Sequence, residues 1–389
     1  MPPAYQAFAT DECLARLERA RQAMRAQDIV ACLAMAPEHL YYFGGYDSWV
    51  GVNSPQAMVF SAAADAPSLL LRDVDLPLAL ETSWIEDLHC YDLVAEHFAD
   101  RVRDLLAARG IDGGRVAIEL ASYAVPALLA DSLRAAMPGI ELVDATRLLG
   151  DLRHVKSAAE LAYMETAAGY ANRGLAAMLG SVAPGVSEIA LAAAIEHAMR
   201  AAGGDYWAIP TELASGTRSA GGHATPRNKP ILEGDLVHAE FAGVAERYHA
   251  TAIQTVACGE PSAEARELYD IALASLRAGI AAAVPGAAVA RVEEASLLPL
   301  RAHGLERAAM MRFGYGVGIA YPPIWLETLQ IARGFDFNLH PGMAFVLHSC
   351  LELAEERLGV IQGGTWVMEQ DGIRLLAGAG DCPLRVLPA

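Results

Sequence analysis

The sequence predicts an α/β (α+β) fold made of two domains. Residues 1 to about 150 alternate helix-like and strand-like segments, a pattern typical of a compact α/β domain. Long helical patterns follow from about residue 158, and strands and turns become frequent beyond about residue 203. A polar stretch around residues 149–158 separates the two patterns. We therefore place the domains at residues 1–152 and 153–389.

The first domain is predicted to begin with a helix. Thr10 and the two acidic residues after it can start that helix, and Leu14, Leu17 and Met24 recur at helical spacing. One more helix and four strands are predicted after it: the helix Phe98–Arg109, and the strands Ile29–Met35, Ala57–Phe60, Ser68–Leu71 and Arg115–Ile118.

The second domain is predicted to contain two helix pairs, each interrupted by a Pro-Gly turn. The four helices are Ala158–Leu179, Ser187–Ala202, Ala263–Val284 and Val289–His303. Between the pairs, strands are predicted at Asp235–Glu240 and Tyr248–Val256, and the last ~80 residues again show strands and turns.

Composition narrows the class of protein. Hydrophobic residues make up 54% and charged residues 20%, so the chain can bury large cores. The net charge of −18 argues against a nucleic-acid partner, and no apolar run reaches the roughly 18 residues that span a bilayer. Six scattered cysteines without a C-x-x-C pair are typical of reduced thiols, and no secretory signal precedes the first helix. We expect a cytoplasmic protein.

The strand that ends at Glu240 carries the first candidate site residue. Alternate side chains of a strand share a face, so His238 and Glu240 point the same way. Among neighbours such as Val237 and Phe241, a carboxylate would be costly to bury. Glu240 is then either an ordinary solvated residue on an exposed face, or a desolvated carboxylate whose raised pKa suits a nucleophile or general base.

His223 is the second candidate. Gly221 and Gly222 allow the backbone to approach a ligand closely, and Pro226 stiffens the following turn. The alternative is an ordinary surface histidine. In this setting, however, the sequence favours a histidine that carries protons near neutral pH.

A glycine-rich segment, residues 313–327, is rich in aromatic side chains. It lacks the helix that follows a dinucleotide-binding loop, because a Tyr-Pro-Pro sequence comes instead. Tyr315, Tyr321 and Trp325 could line a small-molecule pocket, or they could be core aromatics in a loop. A later turn at residues 340–342 enters a strand that ends on His348.

Taken in order, these segments resemble the "pita-bread" family of creatinase, prolidase and methionine aminopeptidase. The sequence H…G-D-L-V…G-Y-x-x-G…P-G-M…T-x-x-x-x-x-x-G is fairly specific as a set. The resemblance implies a creatinase-like N-terminal α/β domain followed by a pita-bread catalytic domain. Metallopeptidase members of the family bind two metal ions through two Asp, one His and two Glu. Here the first four of those positions fall on Glu240, Thr251, Tyr315 and His348. The fifth falls on or beside Gly363.

One carboxylate in five positions cannot bridge two cations, so metal-dependent peptide hydrolysis is not expected. The sequence is most similar to the metal-free branch, in S-G-T-R-x-A-G-G-H-A-T-P, V-H-x-E-F-A-G and G-Y-D-x-W. That branch includes creatinase and the ectoine hydrolases. The resemblance implies no cofactor, His223 as proton carrier and Glu240 as the group that attacks an amidine carbon. Ile324 and Leu326 depart from the branch's pattern, which leaves the exact substrate open.

The resemblance also implies further site residues. His238, Tyr315, Tyr321, Trp325 and His348 would shape the pocket, where aromatic rings favour a delocalised cation. Arg218 is either a partner for a substrate carboxylate or a surface charge. Family members of this type form homodimers in which the N-terminal domain closes over the partner's site. Asp47 and Trp49 would then reach that site.

Ectoine-like compounds are the leading substrates that the resemblance implies, and a creatinase-like amidinohydrolase that acts on a creatine-like compound is the first alternative. Two other functions also remain open at the level of sequence. A single zinc or similar ion could be held by His223, His238, Glu240 and His348, which would make the protein an aminopeptidase-like or prolidase-like hydrolase. Alternatively, the chain could be a non-catalytic binding protein with a pita-bread fold. A nucleophile paired with a proton carrier is of no use to a pure binder, so we expect an enzyme.

Overall fold

The structure is a computed structural model that describes residues 3–310 and 312–389. The chain divides into two units, Met1–Arg153 and His154–Ala389. None of the helices within the described ranges combines the length and the apolar content that crossing a membrane would require.

The N-terminal unit is built on a six-stranded mixed sheet in the order β4-β3-β2-β1-β5-β6. The strands are β1 (Ile29–Ala34), β2 (Ala57–Ser61), β3 (Ser68–Arg72), β4 (Asp87–Tyr91), β5 (Gly114–Ile118) and β6 (Ile140–Asp144). Strand β2 is antiparallel to both neighbours, and the other pairs are parallel. The helices are α1 (Thr10–Arg25), α2 (Pro37–Gly44), α3 (Leu76–Thr82), α4 (Phe98–Ala108), α5 (Ala127–Ala136) and α6 (Thr146–Asp151).

The predicted elements of this unit are confirmed within two residues at each end. Its core forms where apolar residues of β1 and β5, such as Leu33 and Ile118, pack with the buried face of α4. The helices α2, α3, α5 and α6 and the strands β4 and β6 were not predicted. In α2 all residues except Glu38 are buried, so this helix has no polar face that would reveal a helical period.

The C-terminal unit is built on a second, larger sheet in the order β11-β10-β12-β13-β9-β8-β7, with β14 added beside β13 and β15 beside β9. The strands are β7 (Glu212–Ser215), β8 (Leu236–Ala245), β9 (Tyr248–Cys258), β10 (Gly314–Tyr321), β11 (Ile324–Ile331), β12 (Ala344–Leu353), β13 (Leu358–Met368), β14 (Ile373–Gly378) and β15 (Arg385–Leu387). All neighbours are antiparallel except β9 and β15.

Four helices cover this sheet, and all four were predicted: α7 (Ala158–Ser181), α8 (Glu188–Ala201), α9 (Ala263–Ala282) and α10 (Val289–Ala302). Ser157 and Glu160 form a capping box at the start of α7, which packs against β8 and β9. At Gly243 on β8, a Cβ atom would lie 2.1 Å from the Ala167 carbonyl oxygen. Glycine therefore lets α7 approach the strand this closely.

Two hairpins of this unit position the site. Strands β8 and β9 are buried along their whole length and are joined by Glu246 and Arg247, both of which have positive φ angles, as a tight hairpin turn requires. Glu240 therefore lies in the middle of β8, whereas the predicted strand ended there. Residues 313–327, for which a loop was one interpretation, form the hairpin β10–β11 around Pro322 and Pro323.

Candidate active site

Glu240 is a buried carboxylate at the centre of the second sheet. The residue is 7% exposed, and the Tyr315 hydroxyl donates a hydrogen bond of 2.8 Å to its Oε1. Burial raises the pKa of Glu240 to about 7, against the lowering effect of the Tyr315 hydrogen bond. The structure thus has the desolvated carboxylate that the strand pattern predicts, and the exposed-strand alternative is wrong.

Two aromatic residues hold this carboxylate in place. The Trp325 Nε1 atom donates a hydrogen bond of 3.1 Å to the Tyr315 hydroxyl, and both side chains are buried. Burial, followed by the negative charge of Glu240, raises the pKa of Tyr315 well above its ordinary value. The phenol therefore stays protonated and acts as a donor. One oxygen of Glu240 is fixed by this chain of two hydrogen bonds.

Glu212 lies directly opposite Glu240 and was missed by the sequence analysis. The two residues are Cα partners in the antiparallel pair β7–β8, so their side chains share a face. Burial, followed by the charge of Glu240, raises the pKa of Glu212 to about 8. A lone glutamate in the run Thr211–Ser215 was the only available signal, because the register that pairs it with Glu240 cannot be read from the sequence.

His348 is a neutral, buried imidazole beside Tyr315. The ring centroids of the two residues are 5.9 Å apart. Burial, followed by the positive charges of Arg312 and His223, lowers the pKa of His348 to about 4. Among the described residues no hydrogen-bond partner is found for its Nδ1 atom. A buried polar atom with no partner favours a ligand contact at this point.

His223 lies on an exposed loop whose backbone is held on both sides. The Gly222 amide donates a hydrogen bond of 2.8 Å to Glu352 Oε1, and the Leu213 amide donates one of 2.9 Å to the Ala224 carbonyl oxygen. The charge of His223 contributes to the lowered pKa of His348, so the two histidines are electrostatic neighbours. His223 itself is solvent-exposed.

Arg218 anchors this loop from within. Its guanidinium is paired with Glu188 and also donates a hydrogen bond of 2.8 Å to the Thr225 carbonyl oxygen. The Glu188 side chain is fully buried and accepts hydrogen bonds from the amides of Ser215 (2.9 Å) and Arg227 (3.0 Å). These contacts favour a structural role for Arg218, whereas the sequence left a substrate carboxylate as an equal alternative.

Two other predicted pocket residues, His238 and Tyr321, have different contacts among the described residues. His238 is fully buried, and its Nε2 atom is 3.1 Å from the Ser219 carbonyl oxygen, so the described contact ties it to the His223 loop. Burial lowers its pKa to about 4. Tyr321 ends β10, six residues beyond Tyr315, and its ring lies 5.7 Å from the Arg247 guanidinium. A hydrogen bond joins Tyr315 and Trp325, and the place of Tyr321 in the pocket stays a prediction.

Asp47 and Trp49 belong to the N-terminal unit. The Asp47 amide donates a hydrogen bond of 3.2 Å to Thr82 Oγ1, and Trp49 is 53% exposed. An exposed tryptophan suits a contact with another chain. Their place at a partner's site stays a prediction.

The residues at the five metal-ligand positions do not fit a dinuclear centre. They supply one carboxylate, which is held by Tyr315, together with a phenol, a neutral imidazole, a buried hydroxyl and a glycine. At Gly363 a Cβ atom would lie 2.2 Å from the Leu347 carbonyl oxygen, so this backbone leaves no room for a ligand side chain. Nor do any three His, Cys, Asp or Glu residues in the described part of the chain come together to hold an ion. The single-ion alternative of the sequence analysis is tested by the metal-removal experiment described below.

Comparisons with known proteins agree with this architecture. Residues 16–155 match the Creatinase/Prolidase N-terminal domain, and residues 162–375 match Metallopeptidase family M24. The chain is 29% identical over 367 residues to the uncharacterized hydrolase/peptidase y4tM of Sinorhizobium fredii, covering 91% of this chain and 93% of that protein. It is 28% identical over 363 residues to the ectoine hydrolase of Halomonas elongata, covering 87% and 88% respectively.

Solved structures share the fold. The dipeptidase PepE of Mycobacterium ulcerans superposes with a TM-score of 0.85 at 24% identity, covering 98% of this chain and all of the other. The prolidase of Pyrococcus horikoshii superposes with a TM-score of 0.82 at 21% identity, covering 93% of this chain and 97% of the other. These structures confirm the predicted creatinase-like domain and pita-bread domain. The chain belongs to metallopeptidase family M24 and is a hydrolase.

Proposed function

We propose that the protein is a metal-independent hydrolase that cleaves a C–N bond in a small amidine or cyclic amidine amino acid, with ectoine-like compounds as the leading candidates. The observation that carries this proposal is Glu240 itself. A carboxylate that would otherwise bind metal is instead desolvated and oriented by Tyr315, and its pKa near 7 gives it both an ionised fraction and useful basicity at neutral pH.

The chemistry follows from the charge on each partner. The Glu240 carboxylate attacks the sp² carbon of the amidinium, so a C–O bond forms and the C=N electron pair moves to nitrogen. His223, as imidazolium, gives a proton to the departing nitrogen while the C–N bond breaks. Water then adds, its proton passes to the now neutral His223, and the carboxylate is released. In the alternative route, Glu240 takes the proton of the attacking water directly.

The surroundings fit a planar, delocalised cation. Tyr315 and Trp325 supply aromatic surface beside the carboxylate, and such faces attract a delocalised positive charge. His348 offers a buried nitrogen that has no partner among the described residues, so it suits a polar group of the substrate. The relative named ectoine hydrolase, at 28% identity, supports the same substrate class. We also propose a homodimer in which Asp47 and Trp49 reach the partner's site.

A substrate screen tests this proposal. Purified protein is incubated with ectoine, hydroxyectoine, creatine and an Xaa-Pro dipeptide, and the products are identified by mass spectrometry. We expect one of the amidine or guanidine compounds to gain a water, with the ectoine pair reacting fastest, and the dipeptide to remain intact. Hydrolysis of the dipeptide alone would overturn the proposal in favour of a peptidase.

A further inference from the structure

Glu212 is paired with Glu240 across two strands but has no role in the proposed reaction. The two residues lie directly opposite each other on β7 and β8, and among the described residues a hydrogen-bond donor is found for Glu240, the Tyr315 hydroxyl, but not for Glu212. Burial, followed by the charge of Glu240, raises the pKa of Glu212 to about 8. In the ligand-free protein, a proton therefore resides on this pair around neutral pH.

Opposed carboxylates repel each other unless a proton or a cation lies between them. A metal ion is a poor candidate, because the described residues offer no group of three ligands. A planar N–C–N cation is a better one. It carries its charge over two nitrogens, and their N–H groups can reach two separate carboxylates, as a guanidinium fork does.

We propose that Glu212 is a specificity-determining residue that accepts an N–H hydrogen bond from the substrate's amidinium or guanidinium group while Glu240 faces the central carbon. This inference rests on the proposed function and names what selects its substrate. Binding of the cation displaces the proton of the pair, so both carboxylates are ionised in the complex. Neutral amides of the same shape lack the charge that would displace that proton, and they should bind weakly.

Acetamidinium, with neutral acetamide as its matched control, probes this role without turnover. Their dissociation constants are measured by calorimetry on the wild-type protein and on Glu212→Gln, which is isosteric with the protonated acid. We expect the substitution to weaken acetamidinium binding about 10-fold or more, as the loss of a charged hydrogen-bond partner does, and to leave acetamide unchanged. The shorter carboxylate in Glu212→Asp should restore part of the acetamidinium affinity.

A pH series separates this role from a structural one. In the wild type, acetamidinium affinity should rise with pH up to about 8, because the free pair holds a proton below that value. The rise should be absent from Glu212→Gln. Equal acetamidinium affinity in the wild type and Glu212→Gln, at the same unfolding temperature, would overturn the inference even if ectoine is hydrolysed. A different outcome would contradict the proposed function alone. In that case acetamidinium binding depends on Glu212, but the protein hydrolyses no amidine.

Discussion

Replacing Glu240 by glutamine should reduce kcat for the substrate found in the screen by roughly 10⁴-fold or more, the scale on which nucleophile removal acts. Glutamine has the same shape, and its amide oxygen can accept the 2.8 Å hydrogen bond from Tyr315, so the site should keep its geometry. What is lost is the negative oxygen that attacks carbon or takes a proton from water. Steady-state kinetics and a thermal unfolding curve on the same sample measure the two effects separately.

The catalytic role of Glu240 also predicts the direction in which kcat/KM changes with pH. Binding needs the Glu212–Glu240 pair to lose the proton that it holds below about pH 8, so kcat/KM of the wild type should begin to fall below that pH. The fall should steepen below about 7, because the attack needs the ionised form of Glu240, whose pKa is raised to about 7. Tyr315→Phe is the informative companion, because it removes the donor that lowers this pKa and should move the acidic limb to higher pH. The surface variant Glu233→Gln is the neutral control. Wild-type turnover by Glu240→Gln would refute a catalytic role for this residue.

Replacing Glu188 by alanine should destabilise the protein by roughly 3 kcal/mol, because a buried charge partner and its hydrogen bonds are removed together. The Ser215 amide and the Arg227 amide lose their acceptor, and Arg218 loses its ion pair. Since Arg218 is 26% exposed, water can compensate it in part. The loop that carries His223 should loosen, so catalytic activity falls together with the urea midpoint.

Glu165→Ala provides the matched control for this experiment. Glu165 also pairs with an arginine, Arg374, at 2.9 Å, but both side chains are about half exposed. Exposed pairs of this kind contribute about 1 kcal/mol or less. Urea midpoints that shift equally in the two variants would show that the buried Glu188 network does not hold the loop.

The elements that could be predicted from the sequence are those defined by the pattern of neighbouring residues. Helices α7 to α10 carry a helical period over 14 or more residues, and each pair is separated by a Pro-Gly turn, so neighbouring residues alone define them. Glu240 was identified in the same way, from a charge placed among apolar strand residues. By contrast, α2 is buried on nearly all sides and leaves no periodic signal.

The rest of the site depends on contacts between distant segments. Glu212 meets Glu240 only through the β7–β8 register, and Tyr315 reaches Glu240 from a strand 75 residues further along the chain. Arg218 was ambiguous because its partner, Glu188, lies 30 residues earlier on α8. Strand register and side-chain pairing at such separations depend on how the whole sheet packs, which no local pattern encodes.

The most direct test of the central claim is the turnover of ectoine by protein freed of metal by exhaustive dialysis against a chelator, with the metal content of the same sample measured by elemental analysis. If Glu240 acts as nucleophile or base without an ion, the metal-free protein should hydrolyse ectoine at the rate of the untreated protein, and added divalent metal should not increase that rate. Activity that disappears on dialysis and returns in proportion to one bound divalent ion would contradict the account.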